Sequence, residues 1–174
     1  MAHLPYADLS LPTLAPLLQR INAERGSVLH LYQMLLHSPP LTEGWLNFMT
    51  AVRQKLTLPG DLRELVIMRV AMLNSAPYEA EQHAPIALKE GISPAQLAAL
   101  NDWTSSAAFS PLQRDVLALC DTMTRNVQVD ATTLGAVRQH LGETQTVELV
   151  ATIASYNMVS RFLEALHIHG ADAR

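Results

Sequence analysis

The sequence predicts an all-α fold. Apolar residues recur at helical spacing, helix-capping residues punctuate the chain, and no segment of useful length alternates with period two. The clearest stripe is Leu112, Val116, Leu119, Cys120 and Met123. These marks place helices near 12–24, 28–37, 40–55, 61–75, 77–91, 93–102, 110–126, 130–141 and 144–168.

The capping signals fix several starts. Asp61, Ser93 and Ser110 each precede a Glu or Gln three residues on: Glu64, Gln96 and Gln113. In a capping box the first side chain accepts the N3 amide, and the N3 side chain reaches back to the cap amide. Pro94 and Pro111 fall at first helical positions, where a missing N–H costs nothing. Pro77 opens a helix with Ser75 or Ala76 at its cap. Gly91 and Gly170 stand where helices would end. Pro59-Gly60 and Thr104–Ser110 read as loops.

Two helices look central. Leu65–Leu73 carries only Arg69 as a charge, and Leu149–Ser160 carries none. A helix apolar on nearly every face must be surrounded by protein. Each of the two begins Glu-Leu-Val, at Glu64 and at Glu148, a match that internal duplication or chance explains equally well.

With 174 residues and 49% hydrophobic content the chain can bury a full core. No linker divides it, so residues 1–174 read as one domain, with 1–27 as an N-terminal extension. The net charge of −4 comes without any block of like charges, and no basic face offers itself to nucleic acid. Residues 1–10 lack the pattern of a signal peptide, and the 149–160 stretch is shorter than the ~20 residues a bilayer span needs. A single cysteine, Cys120, excludes an intrachain disulfide. These features point to a soluble cytoplasmic protein.

The residues able to do chemistry lie between Leu62 and Ile92. On a helix opened by Pro77, Ala76, Glu79 and His83 share one stripe, so Glu79 and His83 can touch. A carboxylate beside an imidazole holds the ring in one tautomer and lets a proton move near neutral pH. The same spacing also suits a solvated surface pair or a structural histidine. Glu64 fits both a capping box after Asp61 and a second carboxylate of a site. Tyr78 is a candidate hydrogen-bond donor to substrate or a packing residue. Arg69 needs a carboxylate partner if buried, and could otherwise hold an anionic substrate. Asn157 and Arg161, one turn apart, bond each other or line a pocket. No His or Cys spacing suits a metal, and no phosphate-binding glycine motif or nucleophile elbow is present.

This stretch resembles the core of the carboxymuconolactone decarboxylase and AhpD-like family. The alkylhydroperoxidase branch carries Glu-x11-Cys-x2-Cys-x3-His, which falls without a gap on Glu64, Ala76, Glu79 and His83. Glu and His are kept, and both cysteines are replaced. Further on, Leu119–Arg125, Val147–Val150 and Tyr156–Phe162 are similar to the longer members, extending the likeness over about residues 30–168. The resemblance implies an AhpD-like helical bundle around the two central helices. It also implies catalytic roles for Glu64, Glu79 and His83 and assembly as a trimer or hexamer, while Tyr78 and Asn157 stand as the candidate substrate-binding residues.

Thiol-dependent peroxide reduction requires a thiolate and a resolving thiol. Cys120 lies on an apolar stripe, where a buried thiol is inert packing. What remains is acid–base equipment, which matches the decarboxylase branch. The expected function is a cofactor-independent lyase or isomerase acting on a small organic acid or lactone. A peroxidase-like antioxidant protein and a non-catalytic helical binding protein are the alternatives.

Overall fold

The computed structural model describes residues 1–172. Eight α-helices follow in order: α1 (Ala15–Arg25), α2 (His30–Leu35), α3 (Pro39–Gln54), α4 (Gly60–Leu73), α5 (Pro77–Lys89), α6 (Pro94–Ala99), α7 (Pro111–Asn126) and α8 (Ala131–Leu166). Short 3-10 turns at Pro12–Leu14 and Leu100–Asp102 complete them, and there is no strand among the described residues. The fold is all-α, as the spacing predicts. The expected helices at 130–141 and 144–168 form one run, interrupted at Gly142, whose φ of 70° and ψ of −174° no helix contains.

The chain divides into two compact units. The first comprises Met1–Lys55 with the residues from Leu163 on, and the second is Leu56–Phe162. In the first unit, Arg25 on α1 donates to the Tyr32 hydroxyl (2.9 Å) and to Thr50 Oγ1 (2.7 Å), tying α1 to α2 and α3. The N-terminal residues belong to this unit: the His3 amide donates to the Leu166 carbonyl at 2.9 Å, and His37 Nε2 meets the Pro5 carbonyl at 2.7 Å.

The second unit is built on α4. Leu62 and every residue from Glu64 to Ala71 are buried, so the middle of this helix is enclosed on all sides. Burial of each large apolar side chain contributes roughly 1.5–3 kcal/mol. Leu65 and Met68 pack with Ala87 of α5, Ile92, Leu100, Phe109 and Leu117 of α7 in one cluster. Arg69 pairs in bidentate fashion with Asp121 on α7, at 2.6 and 2.7 Å, and donates to the Leu100 carbonyl at 3.0 Å. The only charge within Leu65–Leu73 is therefore neutralised inside the protein, as a buried guanidinium requires, and is not held open for an anion. Cys120 is fully buried with its thiol 3.7 Å from the Val66 carbonyl. Burial pushes its pKa up, which keeps it a thiol.

Helix ends explain the path of the chain. The capping boxes at Ser93 and Ser110 form in full, with Gln96 and Gln113 returning the second bond. The one expected at Asp61 does not form: α4 begins at Gly60 with Pro59 at its N-cap, so Asp61 lies inside the first turn. Three helices close with the same paired bonds. At the end of α5, the Ile92 amide donates to the Ala87 carbonyl (3.0 Å) and that of Gly91 to Leu88 (3.2 Å), with Gly91 at φ 106°. Ser75 takes this left-handed position after α4, at φ 52°, and turns the chain so that α5 packs back on α4. His167 takes it after α8, at φ 54°. The helix thus stops before Gly170, because the Ile168 and His167 amides already satisfy the Leu163 and Glu164 carbonyls.

Candidate functional site

The site lies in the second unit, where α4, α5 and α8 each supply one polar group. Glu64 projects from the first half of α4, His83 from the middle of α5, and Tyr156 from α8. All three are buried, with exposures of 1%, 7% and 1%. His83 Nδ1 stands 2.8 Å from Glu64 Oε2, and His83 Nε2 stands 3.2 Å from the Tyr156 hydroxyl. The two rings meet edge to face, with centroids 5.0 Å apart and planes at 88°. Imidazole is thereby fixed at both nitrogens and across its face.

Electrostatics set the direction of the hydrogen bonds. Burial pushes the Glu64 carboxyl up, but the hydrogen bond and charge of His83, then those of Arg63, outweigh it and hold the group below its ordinary value. Arg63 Nε donates to Glu64 Oε1 at 3.1 Å, and its other arm reaches Glu90 at 3.3 Å. An ionised carboxylate only accepts, so Nδ1 carries a proton and donates it to Glu64. Nε2 of the neutral ring then accepts from the Tyr156 O–H, and Nε2–H of the charged ring donates to the same oxygen. The arrangement can hold an imidazolium without an unpaired buried charge.

A Cβ at Gly60 would meet the flexible end of the Glu90 side chain, which Arg63 draws over the start of α4.

Of the residues singled out from sequence, Glu64 and His83 are in direct contact. The Nδ1 partner of the ring comes from the neighbouring helix, and Glu64 uses its carboxylate there and not in a cap. Glu79 is 2% exposed and lies one turn before His83 on α5. Tyr78, 4% exposed, is buried beside it in the chain. Ala76 and Glu79 occupy the two positions where the peroxide-reducing branch has cysteine.

Asn157 sits among protein groups. Its amide donates to Thr124 Oγ1 and to the Ile153 carbonyl, both at 3.0 Å. Its oxygen accepts from Asn74 at 3.0 Å and from Arg161 at 2.6 Å. Asn74, which closes α4, also donates to Ser160 at 2.6 Å. This cluster joins the end of α4 to α7 and α8.

Sequence reasoning missed Tyr156 and Arg63. Tyr156 had a signal: it is the lone aromatic in the apolar stretch 149–160, and a buried tyrosine needs a partner for its hydroxyl. Arg63 had none, because adjacent residues on a helix do not normally face each other. Its length lets it bend back along the surface to its neighbour. Among the described residues no group of three or more His, Cys, Asp or Glu has metal-binding geometry, and no helix is long and apolar enough to cross a membrane.

Comparison with known proteins places this geometry. Residues 39–122, which include Glu64, Glu79 and His83, match the Carboxymuconolactone decarboxylase family. The uncharacterized protein YdfG of Bacillus subtilis is 28% identical over 106 residues, covering 60% of this chain and 72% of that protein. Among solved structures, the alkylhydroperoxidase AhpD core of an uncharacterized peroxidase-related protein from Ralstonia eutropha JMP134 superposes with a TM-score of 0.82. It is 18% identical and covers 98% of this chain and 93% of its own. A cysteine-to-alanine variant of the debrominase Bmp8, bound to 2,3,4-tribromopyrrole, gives a TM-score of 0.79 at 16% identity, with 96% and 92% covered. At such identities the solved structures speak for the fold. Residues 39–122 are thus similar to the carboxymuconolactone decarboxylase family and the fold is AhpD-like and all-helical, with alanine and glutamate where the peroxide-reducing branch has its cysteine pair.

Proposed function

We propose that this chain is a cofactor-independent acid–base enzyme, a decarboxylase or isomerase of a small organic acid or lactone. The supporting observation is the buried Glu64–His83–Tyr156 chain of hydrogen bonds, which holds both nitrogens of one imidazole and has no cysteine among its members.

In this reading His83 carries the proton and Glu64, set by Arg63, stabilises the imidazolium. Of the three buried groups His83 keeps the most surface, so substrate meets the ring edge. In decarboxylation the bond to the carboxyl carbon breaks, and its electron pair moves through the adjacent carbon onto a conjugated carbonyl oxygen. Tyr156 turns its hydroxyl from Nε2 to that oxyanion. CO2 leaves as that bond breaks, Nε2–H then protonates the carbon, and His83 recovers its proton from water. In isomerisation the same nitrogen takes a proton from one carbon and returns it to another. Glu79, one turn away on the same face, is the second acid–base group. Tyr78 donates to substrate, and Asn157 acts through the wall it braces.

The test is a panel of β-keto acids and carboxylated lactones, followed by CO2 release and by solvent deuterium incorporation in NMR. Turnover by the native chain should fall about 10²–10⁴-fold in His83→Gln, the usual weight of a general acid or base. Undiminished turnover in that variant would remove His83 from the mechanism. Thiol-dependent consumption of tert-butyl hydroperoxide would establish the antioxidant reading in its place. Absence of both activities would leave a helical binding protein.

A further inference from the structure

Several groups bear on the His83 proton. Glu64 of α4 meets Nδ1, Tyr156 of α8 meets Nε2, and Glu79 stands one turn earlier on α5. A carboxylate in direct contact with an imidazole raises the affinity of the ring for its proton. Left alone, Glu64 would keep the ring charged, and an acid that holds its proton too tightly donates it slowly.

The structure carries a counterweight. Behind Glu64 a row of alternating charge runs outward through Arg63 to Glu90. Arg63 Nε lies 3.1 Å from Glu64 Oε1, and its Nη2 lies 3.3 Å from Glu90 Oε1. Side-chain exposure climbs along the row from 1% to 14% to 37%, so it links the buried ring to the protein surface. Arg63 and Glu64 are neighbours in the first half of α4. Glu90 caps the end of α5, the helix that carries His83. Its carboxylate lies over Gly60, where the missing side chain leaves it room.

The signs follow from the charges. The Arg63 guanidinium repels a positive ring. It also stabilises the anion that Glu64 becomes once the ring has lost its proton. Both effects lower the affinity for that proton. Glu90 holds the same guanidinium from its other side and cancels part of its charge.

We propose that Arg63 and Glu90 are positioning residues that set the proton affinity of His83 in opposite directions through Glu64. Arg63 lowers it, and Glu90 restores part of it. Neither touches substrate in this role. The inference deepens the acid–base reading and rests on it for its purpose. The titration that tests it uses no substrate, so a failed substrate panel sinks that reading alone, and a failed titration sinks this one alone.

The experiment is a pH titration of the imidazole nitrogens by long-range proton–nitrogen NMR on the full chain. His83 signals are identified by their loss in His83→Gln. Arg63→Gln should move the midpoint up by about 0.5–1 unit, less than the roughly 1–3 units of a charge in direct contact. Glu64 and His83 titrate together, so the midpoint belongs to the pair and its direction holds wherever the proton sits. Glu90→Gln should move it down by about 0.2–0.5 unit, because solvent and salt screen an exposed carboxylate. Arg63→Lys keeps the charge and should return the midpoint most of the way to that of the native chain.

A row that merely braces the helices would not give shifts of opposite sign. Shifts of the same sign, or none in either variant, overturn the inference. So does an Arg63→Lys midpoint equal to that of Arg63→Gln, or a native ring that never titrates between about pH 4 and 10. Should Arg63→Gln fail to fold, Glu90→Gln at the surface decides alone. A lowered midpoint then supports the inference, and an unchanged or raised one overturns it.

Discussion

Helices α4 and α8 share the tripeptide Glu-Leu-Val, yet the two glutamates do unlike things. Glu64 is buried and accepts from an imidazole and a guanidinium. Glu148 is half-buried and accepts from backbone, taking the Thr57 and Leu58 amides at 3.0 and 2.8 Å and the Thr57 hydroxyl at 3.0 Å. One carboxylate is aimed at a titrating side chain and the other closes the turn before α4. The difference follows from surroundings. Glu64 lies in the buried run Glu64–Ala71 of α4, so its carboxylate must find a charged partner within the protein. The 143–161 part of α8 keeps one face open, and its glutamate reaches the loop at the edge of the unit.

Replacement of each glutamate separates the two roles. Glu64→Ala leaves the buried His83 ring without its anion and Arg63 without one carboxylate, and should destabilise by about 3–5 kcal/mol in urea unfolding. The milder Glu64→Gln isolates the charge. Because the folded carboxyl titrates below its ordinary 4.5, its contribution is complete above that pH and is lost as pH falls through the lower folded value. The stability gap between native chain and Glu64→Gln should therefore narrow on acidification below 4.5. A gap that holds constant down to pH 3 would mean that the carboxylate charge contributes nothing there.

Glu148→Ala should cost less, about 1–2 kcal/mol, since water can reach Thr57 and replace part of what is lost. Turnover of any substrate found for the native chain should be unaffected. A loss as large as that of Glu64→Ala would erase the distinction between the two helices.

Much of this was legible in the sequence, and for identifiable reasons. Ser93 and Ser110 announce their helices because a capping box is local, closed within four residues. Gly91 likewise marks a stop that needs φ above zero. Asp61–Glu64 has the same local form and does not close, because Glu64 has a stronger partner on another helix. The stop at His167 was hidden because a histidine in the left-handed region has no signature. The spacing of Glu79 and His83 shows only that both share one face of α5. The actual bond to Nδ1 joins positions nineteen residues apart, and the bond to Tyr156 joins positions seventy-three apart. Periodicity describes one helix at a time and cannot say which faces meet.

Tyr156 shows how small a change should separate the α8 contribution to stability from its contribution to chemistry. Tyr156→Phe keeps the ring, its edge-to-face contact with His83 and nearly all its buried area, and removes one oxygen. Folding should lose about 1 kcal/mol, the net worth of a neutral hydrogen bond. Ring packing remains, and the His83 nitrogen keeps its anchor at the other end. Turnover should fall far more, by about 10²-fold, because the hydroxyl is the donor assigned to the developing oxyanion. Equal small losses in both measurements would reduce Tyr156 to a packing residue with a satisfied hydroxyl. Proton transfer would then rest on the contact between α4 and α5 alone, with α8 serving only as the wall behind them.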